Sequence, residues 1–119
     1  MHVVLLRALN LGDFLTGVPA YRAVRRAFPS ARITLAAPAI FAPLAALVGG
    51  GAIDDFADTH ELAPLPDSTF DADLGIDLHG CGPASHRLLL DARARRLVAF
   101  YHPATPETAR APRFDPHEH

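Results

Sequence analysis

Short apolar runs alternate along this chain with segments whose apolar residues recur every three or four positions, and no other feature restricts its fold so strongly. Val3 to Leu6, Ile33 to Ala36 and Leu74 to Leu78 are short and almost continuously apolar, the pattern of strands covered on both faces of a parallel sheet. Ile53 to Phe56 and Leu97 to Tyr101 read as two further short strands. Between the first two runs Phe14, Val18, Tyr21, Val24 and Phe28 form one apolar stripe, with Arg22, Arg25 and Arg26 on the wet face. Pro19 falls inside that stripe, so the helix should kink after its first turn from Asp13 or begin its regular part near Val18; Pro29-Ser30 ends it. Ala39 to Val48 and Ala84 to Ala92 read as helices, and Ala57 to Phe70, which lacks any period, as a loop.

Strands and helices alternating at these lengths imply an α/β fold: a Rossmann-like, doubly wound parallel sheet of about five strands. Residues 1–101 form that domain. Residues 102–119 are Pro-rich and polar, an irregular tail that reads as the start of a truncated continuation.

A chain of 119 residues, 50% of them hydrophobic, buries one core and not two. Its net charge of -2, with no dense basic cluster, excludes a nucleic-acid partner. The single Cys81 cannot form an internal disulfide, and Met1 to Val4 lacks the charged start of a secretion signal; both point to a cytoplasmic location. Ile33 to Ile53 carries no charge and is long enough to raise the question of a membrane span. Pro38, Pro43 and Gly49-Gly50-Gly51 break it into strand, turn and short helix instead.

Ligands of an open α/β sheet sit beyond the carboxyl ends of its strands, where the strand order reverses. In the common order 3-2-1-4-5 that point lies between the exits of the first and fourth strands, Leu9-Asn10-Leu11-Gly12-Asp13 and Asp77-Leu78-His79-Gly80. The first of these loops is not a dinucleotide fingerprint: only Gly12 is present of the glycines such a turn needs, and Asp13 would oppose a pyrophosphate. Cys81, His79 and His86 show no paired metal-ligand spacing, so no metal is expected. Asp13 suits either a helix N-cap or a general base, and Asp77 either a satisfier of loop amides or a ligand-facing carboxylate. Arg87, on the helix after the second loop, reads as a surface residue.

The stretch Arg7 to Pro29, RALNLGDFLTGVPAYRAVRRAFP, resembles the opening of family 9 glycosyltransferases, the heptosyltransferase type. There a strand ending in a basic residue leads to Leu-Gly-Asp, then a helix with an early proline runs to Phe-Pro; Ala31 to Leu35 resembles the strand that follows. Asp77-Leu78-His79-Gly80 is similar to the family's Asp-Leu-Gln-Gly, and Arg95 to Phe100 to its later Arg-rich strand, so the resemblance runs to about Tyr101. His79 replaces the usual Gln, and Asn10 stands where Ser is common.

The resemblance implies the N-terminal half of a GT-B fold, the acceptor-side domain of an inverting glycosyltransferase. By the same carry-over Asp13 is the general base, with Asn10, Gly12, Asp77, His79, Gly80 and Arg87 around the acceptor. It further implies no cofactor beyond a nucleotide-sugar donor as substrate, held mainly by a missing C-terminal domain, so that this fragment alone is inactive. The acceptor would be a glycolipid or saccharide of the cell envelope, with peripheral contact at the inner face of the cytoplasmic membrane. Two alternatives are a non-catalytic Rossmann-like module binding a nucleotide or protein, and a plain interaction domain in which Asp13 is dispensable.

Overall fold

A computed structural model describes residues 1–7, 11–48, 51–59, 63–79, 83–100 and 103–109, leaving aside the side chains of Leu11, Asp13 and Val48. Strands β1 (His2–Leu6), β2 (Arg32–Ala37), β3 (Asp55–Asp58), β4 (Leu74–Asp77) and β5 (Arg96–Val98) form one sheet. All neighbours pair in parallel in the order β3-β2-β1-β4-β5. The expected α/β class and strand order are both present.

The helices divide between the two faces. Helices α1 (Leu11–Thr16), α2 (Val18–Ala27) and α3 (Ala42–Val48) lie on one side. There Phe14, Val18, Tyr21 and Ala45 pack with Val3, Leu5, Ile33, Leu35 and Ile76. Helix α4 (Ala84–Asp91) covers the other side, where Leu89 meets Val4, Leu6 and Ala36. Successive strand residues feed opposite faces, which is why β1 is apolar at every position from Val3 to Leu6.

The kink expected before Pro19 is a full break at Gly17, with Pro19 in the first turn of α2, where its lack of an N–H does no harm. Gly17 is there because of space: a Cβ would lie 2.5 Å from the Tyr21 hydroxyl and 2.8 Å from Arg7 Cδ. Tyr21 donates a hydrogen bond to Phe14 O at 3.2 Å, tying α2 to α1, and burial pushes its phenol up to about 12. The second predicted helix opens with a 3-10 turn, Ala39–Phe41, because Pro43 and the Pro38 turn delay regular α geometry. The stretch from Ile33 to Ile53 thus holds β2 and α3, and among the described residues no helix is long and apolar enough to cross a membrane.

Three local expectations change. The third strand begins at Asp55, two residues later than expected; just before it the Asp54 N–H donates to Ile33 O at 2.9 Å, while the Asp54 carboxylate takes the Ile33 N–H at 2.9 Å in place of a strand carbonyl and accepts an Arg25 N–H. The bonds to the carboxylate, that from the Ile33 N–H foremost, hold Asp54 below its usual carboxylate pKa. Arg25 is accordingly not on a wet face; it also donates to Ala31 O at 2.8 Å and Ala52 O at 3.3 Å, pinning the approach to β3. The fifth strand is the three residues Arg96–Val98, an edge strand paired only with β4, and not Leu97 to Tyr101; Tyr101 lies outside the described residues.

Candidate functional site

Strand order reverses between β1 and β4, whose last residues Leu6 and Asp77 are register partners. Beyond them the hydrogen-bond ladder runs one step further, Leu78 N–H to Leu6 O at 2.9 Å, so the two exits leave the sheet side by side. Arg7 joins them. Its Nη1 donates to Leu78 O at 2.5 Å and its Nη2 to Thr16 Oγ1 at 3.3 Å, linking the β1 exit, helix α1 and the β4 exit through one guanidinium. The sequence reading used Arg7 only as part of a motif; that it spans both loops depends on a contact 71 residues distant.

Asp13 is the third residue of α1, so it lies inside the first helical turn and is not the N-cap that its position before the apolar stripe suggested. The Asp13 side chain, Asn10, Gly80 and Cys81 are outside the described residues. Gly12 is exposed at the start of α1, and Arg87 is exposed on α4.

Asp77 is 4% exposed and, as the partner of Leu6, faces α4. Its Oδ1 accepts the His79 N–H at 2.8 Å, closing a turn that leaves His79 half-buried at the mouth of the crevice. Its Oδ2 stands 3.5 Å from His86 Nε2, and both side chains are fully buried. The other ring nitrogen of His86, Nδ1, is 3.3 Å from Thr105 Oγ1. Thr105 is itself buried, held by a turn in which Thr108 Oγ1 donates to Thr105 O at 2.7 Å. The sequence reading weighed His86 only as a metal ligand. Its signal was present: His86 and Leu89 stand three apart, so the buried face of α4 carries an ionisable residue.

Beside this chain Ile76, Asp77, Leu78, Val98, Ala99 and Phe100 line an open hollow of about 210 Å³ at the carboxyl ends of β4 and β5. Its walls are almost wholly apolar and suit the body of a ligand better than a phosphate. No group of three His, Cys, Asp or Glu side chains converges to hold a metal ion among the described residues.

No protein-family model matches the chain, and no curated protein matches it significantly. Solved structures do. The chain is similar to E. coli heptosyltransferase WaaC with ADP, at a TM-score of 0.73 and 16% identity over 100% of this chain and 43% of that one. It is also similar to a glycosyl transferase family 9 protein from Veillonella parvula DSM 2008, at a TM-score of 0.66 and 17% identity over 82% of this chain and 31% of that one. The chain thus spans less than half the length of either. The five-stranded parallel sheet with its helices matches glycosyltransferase structures of the GT-B fold.

Proposed function

We propose that this chain is the acceptor-side domain of an inverting glycosyltransferase, with Asp13 as general base. The carrying observation is the meeting of the β1 and β4 exits at the reversal of strand order, on a fold shared with glycosyltransferase structures. In this reading the Asp13 carboxylate takes the proton of an acceptor hydroxyl as its oxygen attacks the anomeric carbon of a nucleotide-bound sugar. The bond to the diphosphate breaks on the opposite face, and the diphosphate leaves with its electron pair toward a second, donor-binding domain. An alcohol does not ionise at neutral pH, so a carboxylate within hydrogen-bond reach accelerates the step by accepting the proton during attack.

In this reading Asn10, Gly12, His79 and Gly80 contact the acceptor, and Arg87 supplies positive charge for an acidic one. Asp77 acts from below, shaping the loop of His79. The sugar is heptose-like and the acceptor a cell-envelope saccharide or glycolipid, reached at the inner face of the cytoplasmic membrane; the domain alone is inactive.

The test is to assay the product of the complete reading frame for transfer from nucleoside-diphosphate sugars, beside an Asp13→Asn variant. We expect Asp13→Asn to lower kcat by about 10²-fold or more with circular dichroism unchanged. An undiminished rate in that variant rejects Asp13 as the base.

A further inference from the structure

An ionisable side chain taken wholly out of water is costly unless its neighbours compensate it, so a buried carboxylate beside a buried imidazole calls for a reason. Asp77 and His86 lie at the end of β4 and on the inner face of α4, with 3.5 Å between Oδ2 and Nε2. Thr105, from the chain beyond β5, approaches the opposite side of the ring. The order is carboxylate, imidazole, hydroxyl. A threonine hydroxyl can donate to Nδ1 or accept from it. Asp77 Oδ2 is buried without a hydrogen bond among the described residues, so a proton on Nε2, 3.5 Å away, gives it an electrostatic partner.

That proton has a consequence one atom away. Asp77 offers one oxygen to His86 and the other to the His79 N–H at 2.8 Å. The orientation of the carboxyl plane therefore couples the ring to the backbone of the β4 exit. An Asp at a strand end can turn about its side-chain bonds to other loop amides; a ring packed on α4 and backed by Thr105 removes that freedom.

We infer that His86 is a positioning residue: held between Asp77 and Thr105, it orients the Asp77 carboxylate so that Oδ1 keeps the His79 N–H and fixes the turn at the mouth of the crevice. The proposed function enters only in naming this turn as acceptor-facing. The two ideas fail separately, because the present one is read from a backbone amide and the other from turnover.

The test is ¹H–¹⁵N NMR on the 119-residue chain. Long-range ¹H–¹⁵N spectra of the unaltered protein should show His86 Nε2 protonated; an Nε2 bare of its proton, facing the carboxylate, overturns the inference. His86→Gln places a side-chain N–H close to the original Nε2 and should keep the His79 amide near its native shift. His86→Leu, of similar size without a donor, should move that amide and lower its protection from exchange by about tenfold or more. An unmoved His79 amide in His86→Leu, or a displacement in His86→Gln as large as in His86→Leu, overturns the proposal. Should His86→Leu fail to fold, Thr105→Val serves: it leaves Asp77 and His79 untouched, and the ring nitrogens and the His79 amide should shift together. A His79 amide indifferent to Thr105→Val also overturns it.

Discussion

The two faces of the sheet are built on different principles. On the side of α1, α2 and α3, hydrocarbon and aromatic groups fill the interior: Phe14 stacks obliquely on Tyr21 and on Phe41, with ring centroids 5.9 and 5.1 Å apart, over Val3, Leu5 and Leu35. Beneath α4 the layer of Val4, Leu6 and Leu89 adjoins Asp77, His86, Thr105 and Thr108, all buried. The first interior is held by packing and tolerates little change of volume; the second sets a buried carboxylate 3.5 Å from a buried imidazole, a contact of charge more than of hydrogen bonding. The polar interior sits directly behind the crevice where β1 and β4 part, as expected if stability is exchanged there for a defined loop shape.

Substitutions can break this contrast. The largest effect is expected on the α4 side. His86→Leu leaves the buried Asp77 carboxylate facing an apolar group and should destabilise the chain by about 3–5 kcal/mol in urea unfolding, whereas Asp77→Leu with His86→Leu should regain most of that loss. A double variant no better than the single one would show that the α4 side, too, is held by packing.

Next in size is a probe of the α1–α2 side. Gly17→Ala forces a Cβ against the Tyr21 ring and the Arg7 stem and should cost about 1–3 kcal/mol, with a lower Tm. Because Tyr21 is already packed against Phe14, it cannot step aside cheaply. A neutral Gly17→Ala would mean that this interior is looser than its contacts imply.

The smallest effect concerns the amino edges of the strands, outside both interiors. Burial, aided by Arg32, lowers the pKa of His2, whose ring contacts Thr34 Oγ1 at 2.8 Å. Hydrogen bonds from the backbone N–H groups of Ile33 and His2 lower those of Asp54 and Asp73. All three folded-state values lie below the unfolded ones, so the unfolded chain binds protons more readily and acid favours it. The His2 contribution is complete above its ordinary 6.5 and is lost as pH falls through the lowered folded value. Those of Asp54 and Asp73 are complete above 3.8 and are lost below it in the same way. Urea midpoints measured from pH 8 to pH 3 should fall in two stages, and His2→Gln should remove the first. Asp54 is exposed and Asp73 partly so, and screening by solvent keeps the second stage modest.

Much of the scaffold was legible in the sequence. The continuous apolar run of Val3 to Leu6 marks a strand covered on both faces, and the stripe from Phe14 to Phe28 marks a helix with one buried side; each is a matter of local period. The break near Pro19 and the stop at Pro29 follow from proline's fixed geometry. Strand ends were less legible where a side chain competes with the ladder, as Asp54 does before β3. Arg25 looked solvent-facing because helical spacing records which face a residue takes but not what another part of the chain brings to that face.

The sequence by itself determined the order of strands and helices, the apolar faces that must be buried and the two loops able to form a crevice, because all of these rest on spacings of a few residues. Only the tertiary structure decided that Arg7 reaches Leu78, that Asp77 turns toward His86 rather than solvent, and that Thr105 backs the ring. These contacts join residues 71, 9 and 19 positions apart, and no local propensity acts over such spans. They exist because β4 lies beside β1 and α4 folds back over it, an arrangement set by burying the whole sheet at once.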